Sequence, residues 1–152
     1  MIKKKYCYDY PRPAVTVDLI IISETDASQK ILLIERKNQP FKGMWALPGG
    51  FVDENEDLPD AAMRELKEET DIDNVSLIQI GAFGKPGRDP RGHTVAVAFM
   101  AQVNHKIPVN AGDDASNVQW FPIEKLPNLA FDHKEIIEKA LFFQKQKKFF
   151  DI

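Results

Sequence analysis

One predicted helix places acidic side chains on the face where a folded protein needs apolar ones. The helix covers about residues 58–70 with Asp57 as its N-cap, because an Asp side chain accepts hydrogen bonds from the first free amides of a helix. Winding it at roughly 100° per residue gives one apolar stripe, formed by Leu58, Ala61, Ala62 and Leu66. Glu65 and Glu69 fall inside this stripe, one turn apart, and Glu68 lies at its edge.

Carboxylates on a buried stripe need a compensating partner, because an amphipathic helix normally keeps its charges in water. Most Glu-rich helices are simply solvated, and that ordinary interpretation fits the triplet alone. Here the stripe faces the core and the helix follows the Gly49–Gly50 pair, which favours a different interpretation. Three clustered carboxylates offer only oxygen ligands, the set that a hard divalent ion such as Mg²⁺ prefers.

The whole segment 50–72 resembles the Nudix box of the Nudix hydrolases, G-x5-E-x7-R-E-U-x-E-E-x-G-U with U aliphatic. The matching residues are Gly50, Glu56, Arg64, Glu65, Leu66, Glu68, Glu69 and Ile72. One position departs, because Asp71 stands where the family usually has Gly. That position commonly needs a left-handed backbone, which Asp tolerates better than most residues. We therefore expect a small cost in stability and an intact metal site.

The resemblance implies a role for each acidic box residue. Glu65, Glu68 and Glu69 would bind two or three Mg²⁺ ions, with Mn²⁺ as an alternative, and the Gly50 carbonyl would contribute. A second set of residues is implied to be structural, namely an ion pair of Glu56 with Arg64 that holds the loop against the helix. The general base varies within the family, so the candidates stay open: Glu68, Glu65, and the loop residues Asp113 and Asp114.

Length and periodicity predict a single α/β (α+β) domain over residues 1–152, long enough for a real core. Strands are predicted at 14–22, 30–36, 51–52, 75–83, 94–103 and 117–121. A second helix is predicted from an Asp132 cap to about residue 147. The expected fold is a mixed β-sheet flanked by the box helix and the C-terminal helix, which agrees with the α/β/α sandwich of Nudix proteins.

A loop rich in Gly, Pro and Arg at residues 84–92 bears on the substrate. Arg suits bidentate phosphate recognition, although a solvated loop is an equally good interpretation of the spacing. The loop resembles the G-x-x-x-RDPRG signature of a bacterial ADP-ribose pyrophosphatase group. This resemblance implies that Arg88 and Arg91 contact phosphate or ribose, and Arg36 could do the same.

Aromatic residues are candidates for stacking on adenine. Phe41, Tyr8 and Tyr10 could each do so, although packing in the core or at an interface is the commoner role of such residues. His133 is predicted to be a structural residue of the second helix cap.

Three functions follow from the resemblance. The first is Mg²⁺-dependent hydrolysis of ADP-ribose to AMP and ribose 5-phosphate, and the second is hydrolysis of other nucleotides, either nucleoside triphosphates or other sugar nucleotides. The third is a non-catalytic ADP-ribose-sensing regulator. Regulators of this kind carry a winged helix after the Nudix domain and usually a degraded box. This sequence ends soon after its last helix and keeps every box carboxylate, so an enzyme is expected.

Composition limits the partners and the compartment. A net charge of -3 argues against a general nucleic-acid-binding surface, and no window is apolar enough to span a membrane. The single cysteine, Cys7, fits a reducing cytoplasm. A small-molecule nucleotide is the expected partner. A homodimer is a further expectation, because Phe142, Phe143, Phe149 and Phe150 exceed what one helix face can bury.

Overall fold

The computed structural model describes residues 6–24, 28–103, 109–112 and 115–150, the last four by their main chain alone. Its strands are β1 (Ala14–Glu24), β2 (Gln29–Arg36), β3 (Trp45–Ala46), β4 (Gly49–Phe51), β5 (Ile78–Phe83), β6 (Thr94–Val103) and β7 (Ala115–Pro122). Its helices are α1 (Leu58–Thr70), a 3₁₀ turn (Ile123–Lys125) and α2 (His133–Phe150). Among the described residues, no helix is long and apolar enough to cross a membrane.

Strand β1 is the centre of a mixed sheet with the order β3-β2-β1-β6-β5. It runs parallel to β6 from the Ala14–Thr94 pair to the Ser23–Val103 pair, and antiparallel strands flank the two. Both central strands are almost wholly buried, since their continuous apolar sequence suits a strand that is covered on both faces.

The two sides of β1 face different helices. Val17, Leu19 and Ile21 pack with Ala62 and Leu66 of α1, whereas Ile20 and Ile22 pack with Ile136, Ile137 and Ala140 of α2. This alternation follows from the two-residue period of a strand. The predicted fold, a mixed sheet between the box helix and the C-terminal helix, is therefore confirmed.

One edge of β1 is shared by two strands, and this division makes room for the site. Strand β2 pairs with β1 only at Ile22–Glu24, whereas β4 pairs with Thr16–Asp18. Between them the Leu19 amide donates a 2.9 Å hydrogen bond to the Pro48 carbonyl. The segment from β3 to β4 thus fills the fork between β1 and β2 and carries Gly49 and Gly50 to the side of α1.

Several element boundaries differ from the sequence predictions. The strand predicted at 51–52 lies at Gly49–Phe51, because the two glycines are extended and pair with β1. The strand predicted from 75 begins at Ile78. Val75 and Leu77 pack instead against the core beside α1, so their apolar character reflects tertiary packing and does not indicate strand pairing.

Candidate active site

A cleft of about 380 Å³ opens between the second half of α1, strand β4 and the end of β2. One wall is acidic, formed by Glu65, Glu68 and Glu69, and the opposite wall is basic, formed by Arg36, Lys37 and Arg91. Gly49 and Gly50 form its floor. Acidic and basic walls facing one another suit a ligand that is bound through cations on one side and guanidinium groups on the other.

The three carboxylates of α1 differ in depth, as their helix positions require. Glu69 is 6% exposed, and its Oε2 accepts a 2.8 Å hydrogen bond from the Gly49 amide. The Glu65 side chain is 12% exposed, whereas that of Glu68 is 58% exposed. The predicted order, with Glu65 and Glu69 inward and Glu68 at the edge, matches these exposures.

Arg64 ties the loop before α1 to the acidic wall. Its Nε and Nη2 donate to the two carboxylate oxygens of Glu56 at 2.7 and 2.8 Å. Its Nη1 lies 2.6 Å from Oε1 of Glu65. The hydrogen bond from Arg64 is the main reason that the pKa of Glu56 is lowered to about 2, and the Asp53 amide adds a second donor. The structure thus places the predicted box pair, Glu56 and Arg64, in direct contact.

The floor of the cleft leaves no space for a side chain unless its neighbours move. A Cβ on Gly50 would lie 2.5 Å from Oε1 of Glu65, well inside van der Waals contact. A Cβ on Gly49 would collide with the Val17 carbonyl, and Gly49 has a φ of 148°. The two glycines therefore let the main chain approach the acidic wall closely enough for a backbone carbonyl and a carboxylate to serve one ligand.

The donor set on this wall fits a hard divalent cation, since every candidate ligand atom is an oxygen. Arg64 already contacts the carboxylate of Glu65, so a bound cation would compete with its guanidinium. Within the described ranges, no three His, Cys, Asp or Glu side chains lie close enough together to form a ready-made ligand cluster. The role of Glu65, Glu68, Glu69 and Gly50 as metal ligands stays a prediction.

Arg88 lies behind the cleft in a buried ion pair. Its side chain is 4% exposed, and its Nε and Nη2 donate to the carboxylate of Asp132 at 2.9 and 2.6 Å. Its Nη2 is also 3.4 Å from Oδ2 of Asp18. Arg88 lines a small cavity of about 30 Å³ next to the cleft. The predicted contact of Arg88 with substrate stays a prediction, and in this structure its guanidinium joins the loop to the start of α2.

Arg91 and Arg36 point into the cleft across one aromatic ring. The Cζ of Arg91 is 5.5 Å from the Phe131 centroid, and the Cζ of Arg36 is 4.9 Å from the same centroid. Arg91 donates hydrogen bonds from Nε at 3.0 Å and from Nη2 at 2.7 Å to the carboxylate of Asp89. Burial alone would raise the pKa of Asp89. The hydrogen bonds from Arg91 outweigh this effect, so the pKa is lowered.

Phe131 and Phe41 contact one another from unusual backbone conformations. Their ring centroids are 4.8 Å apart in an edge-to-face arrangement, and their φ angles are 54° and 62°. A left-handed backbone at a bulky residue costs on the order of 1–3 kcal/mol, so the surrounding fold must hold both. Of the predicted stacking residues, Phe41 is half-buried against Phe131, whereas Tyr8 and Tyr10 are 52% and 79% exposed.

His133 is buried at the start of α2 and faces the cleft floor. Its Nδ1 accepts a 2.9 Å hydrogen bond from the Leu47 amide, and its Nε2 is 3.7 Å from Oδ1 of Asp18. Burial is the main cause that lowers the pKa of His133. Sequence reasoning foresaw a structural residue but missed Leu47 as its partner, since no local spacing links positions 47 and 133.

The loop candidates for the general base, Asp113 and Asp114, lie outside the described residues. Gly112, just before them, packs against the end of α1. Its amide donates a 3.3 Å hydrogen bond to the Glu69 carbonyl, and a Cβ there would overlap the main chain of Glu68. The described part of this loop, residues 109–112, therefore lies against the helix that carries the acidic wall.

The sequence of this chain matches the family model of the NUDIX domain over residues 12–140. The chain belongs to the Nudix family. The match includes the acidic wall, the basic wall and His133, so the predicted family is confirmed. Asp71, the one departure from the Nudix box, ends α1 with φ 62° and ψ 14°. It has the left-handed backbone expected there, and its carboxylate is 2.6 Å from Lys67 Nζ.

The Nudix relatives of this chain include proteins whose names refer to ADP-ribose. The chain is 47% identical over 135 residues to the ADP-ribose pyrophosphatase of Methanocaldococcus jannaschii, covering 89% of this chain and 76% of that protein. It is 40% identical over 136 residues to the ADPR responsive transcriptional repressor NtrR of Acinetobacter baylyi, covering 87% of this chain. It spans only 54% of that repressor, about half of its length.

A solved Nudix structure agrees with this picture. The cocrystal structure of the NUDIX domain of Shewanella oneidensis NrtR complexed with ADP ribose superposes with a TM-score of 0.82 at 34% identity. The superposition covers 90% of this chain and 94% of that domain.

Proposed function

We propose that this Nudix protein hydrolyses the diphosphate bond of ADP-ribose, giving AMP and ribose 5-phosphate, with the help of a divalent cation. The observation that carries the proposal is that the acidic wall of α1 shares one cleft with Arg36 and Arg91. A diphosphate needs both walls, because its charge must be neutralised while it is held in position.

The reaction adds water to one phosphorus and breaks the bond from that phosphorus to the bridging oxygen. When bound, Mg²⁺ or Mn²⁺ supplies neutralisation of the diphosphate charge and acidification of the attacking water. Glu65, Glu69 and the Gly50 carbonyl are proposed to hold the cations, and two or three ions are expected. Arg36 and Arg91 bind the non-bridging oxygens from the other side, which holds the diphosphate in the cleft.

Glu68 is the favoured general base among the described residues. Its side chain is the most exposed of the three carboxylates, and the nearest Arg64 nitrogen is 3.4 Å away. It can therefore reach a water on the open side of the wall and accept a proton. Glu65 is tied more closely to Arg64, and Asp114 stays a candidate in the neighbouring loop.

ADP-ribose is the proposed substrate on two grounds. The first is similarity to the ADP-ribose pyrophosphatase and to the ADP-ribose complex described above. The second is the Arg-rich loop, which brings Arg91 into the cleft. Phe41 and Tyr8 are retained as proposed stacking residues for the base. Arg88 is retained as a proposed contact for phosphate or ribose, through the small cavity that it lines.

A regulator that senses ADP-ribose is the second candidate, because one relative is a transcriptional repressor. The acidic wall argues for catalysis, since a sensor has no need for three carboxylates at graded depth. Hydrolysis of nucleoside triphosphates or other sugar nucleotides is the remaining alternative within the family.

A substrate panel decides between these functions. ADP-ribose, other sugar nucleotides and nucleoside triphosphates are assayed at equal concentration with Mg²⁺, and AMP, ribose 5-phosphate and phosphate are quantified. We expect the highest kcat/KM with ADP-ribose. A triphosphate turned over as fast would contradict the proposed substrate. Tight ADP-ribose binding with no product would support the sensor.

The proposed setting is the cytoplasm, where Cys7, a free and exposed thiol, would stay reduced. The protein is proposed to act on a small-molecule nucleotide, without nucleic acid or membrane partners. A homodimer is proposed from α2, where Phe142 is 60% and Phe143 36% exposed. Sedimentation of the full chain at micromolar concentration measures this, and a monomeric mass would contradict it.

A further inference from the structure

We propose that Phe131 is a positioning residue that holds the two guanidinium groups of the basic wall, Arg36 and Arg91, together as a pair that binds one diphosphate. The proposal rests on the proposed function, because it assigns how the basic wall recognises that group. Phe131 carries no charge and makes no hydrogen bond through its side chain, so its effect must come from the position and the face of its ring.

The first observation is that both arginines meet the same ring. Their Cζ atoms lie 4.9 and 5.5 Å from the Phe131 centroid, within the range of about 6 Å in which a cation is attracted to an aromatic ring. Arg36 and Arg91 repel each other in water. A shared ring offsets that repulsion, and so it can keep two like charges on one wall without a ligand.

The second observation is that each guanidinium is also anchored away from the ring. Arg36 Nε donates a 2.7 Å hydrogen bond to the Pro40 carbonyl. Arg91 is held by Asp89 and lies 4.7 Å from the Phe51 centroid. These anchors lie on different segments of the chain, whereas both guanidinium groups contact Phe131.

The third observation is the backbone of Phe131 itself, which is left-handed. Such a conformation at a bulky residue persists only where the fold enforces it. Here the Ala130 amide donates a 2.8 Å hydrogen bond to the Trp45 carbonyl, Leu129 pairs with Trp45, and the ring packs edge-to-face on Phe41. These contacts place the ring in the lining of the small cavity next to the cleft, where Arg36 and Arg91 also lie, whereas an ordinary backbone would direct it elsewhere.

The test compares side chains with and without an aromatic face. Phe131→Leu keeps apolar volume and removes the ring, and Phe131→Tyr keeps the ring. Steady-state hydrolysis of ADP-ribose by the full chain with Mg²⁺ should show KM raised about tenfold for Phe131→Leu, with kcat within about twofold of wild type. Loss of binding equal in ground and transition states has this signature. Phe131→Tyr should stay close to wild type.

A double-mutant comparison separates positioning from packing. We expect Phe131→Leu to change KM little when Arg36 and Arg91 are both replaced by Met, because the ring then has no cations to hold. The same factor in both backgrounds would overturn the proposal. So would a wild-type KM in Phe131→Leu, or a fall confined to kcat.

A matched control excludes general loosening of the fold. Phe121 packs on Trp45 with centroids 4.6 Å apart, and no arginine of the described chain is seen over its ring. Phe121→Leu should lower the melting temperature and leave KM unchanged. If Phe131→Leu does not fold, Phe131→Met is used in the same cycle. If the wild-type protein does not hydrolyse ADP-ribose, the proposed function fails, and the same cycle is measured as binding of ADP.

Discussion

The Leu47 amide donates its hydrogen to Nδ1 of His133 over 2.9 Å. This single bond joins the first turn of α2 to the segment that carries Gly49 and Gly50 into the cleft. The acceptor must be a neutral ring nitrogen, and burial, which lowers the pKa of His133, keeps the ring neutral. The helix on one face of the sheet thus sets the position of the cleft floor beside the other helix.

We expect His133→Gln to lower the free energy of unfolding more than His133→Asn does. The side-chain oxygen of Asn can take the place of Nδ1, whereas Gln places its polar end near Nε2 and leaves the buried Leu47 amide unpaired. An unpaired buried donor costs on the order of 1–3 kcal/mol. Chemical unfolding should show that loss for His133→Gln and a smaller one for His133→Asn. Equal losses would show that the Leu47 bond contributes nothing specific.

Replacing Glu69 by Gln should abolish most turnover and spare the fold. Gln keeps the acceptor for the Gly49 amide, so the local structure has no cause to change, but it loses the charge that a cation requires. A fall in kcat of at least about hundredfold is expected, since metal-assisted charge stabilisation contributes several kcal/mol. Thermal unfolding should be near that of wild type. The matched control is Glu135→Gln, an exposed residue of α2, which should keep full activity.

Low pH should lower the free energy of unfolding, partly because Glu56 becomes protonated. Its pKa is about 2 in the folded state against an ordinary value of 4.5, so the unfolded state binds the proton more readily. The resulting stability is fully present above pH 4.5 and is lost as pH falls from 4.5 towards 2. The difference in unfolding free energy between wild type and Glu56→Gln, measured without divalent cations, should shrink across that window. A difference independent of pH would contradict this assignment.

Gly50→Ala should damage the site through one methyl group. The new Cβ would meet the Glu65 carboxylate at 2.5 Å, so that side chain must move. A displacement of about 1 Å near the reacting groups can cost about a hundredfold in rate. Gly81→Ala is the matched control, because Gly81 has a positive φ of 156° but no atom within 4 Å of a new Cβ. The control should lose stability and keep kcat, whereas Gly50→Ala should lose kcat.

Local patterns in the sequence predicted most of the fold. The bounds of α1 and β6 agree with their predictions, because amphipathic and uniformly apolar segments carry their own signal. The stripe of α1 also foretold the graded burial of its carboxylates. Predictions failed where tertiary pairing decides, as at β4, whose glycines carry no strand signal until β1 lies beside them.

Contacts among the functional side chains were also predictable only where they follow from a local motif. Glu56 and Arg64 are eight residues apart and their pairing follows from a motif. The contacts of Phe131 with Arg36 and of His133 with Leu47 join residues separated by most of the chain. No periodicity encodes such contacts. The positive φ of Phe131 was equally hidden, since nothing in the sequence marks an aromatic residue for a left-handed backbone.

The parallel pairing of β1 with β6 also determines how early the centre of the sheet can form during synthesis. Ala14 emerges early but its neighbour in the sheet is Thr94, and the basic wall includes Arg91. Helix α1 is complete once Thr70 has been synthesised, when β1, β2 and β4 are already available but β6 is not. Until residues 94–103 follow, β1 lacks its parallel neighbour. A nascent chain stopped before Thr94 would hold every residue of the Nudix box and still lack one of the two central strands of the sheet.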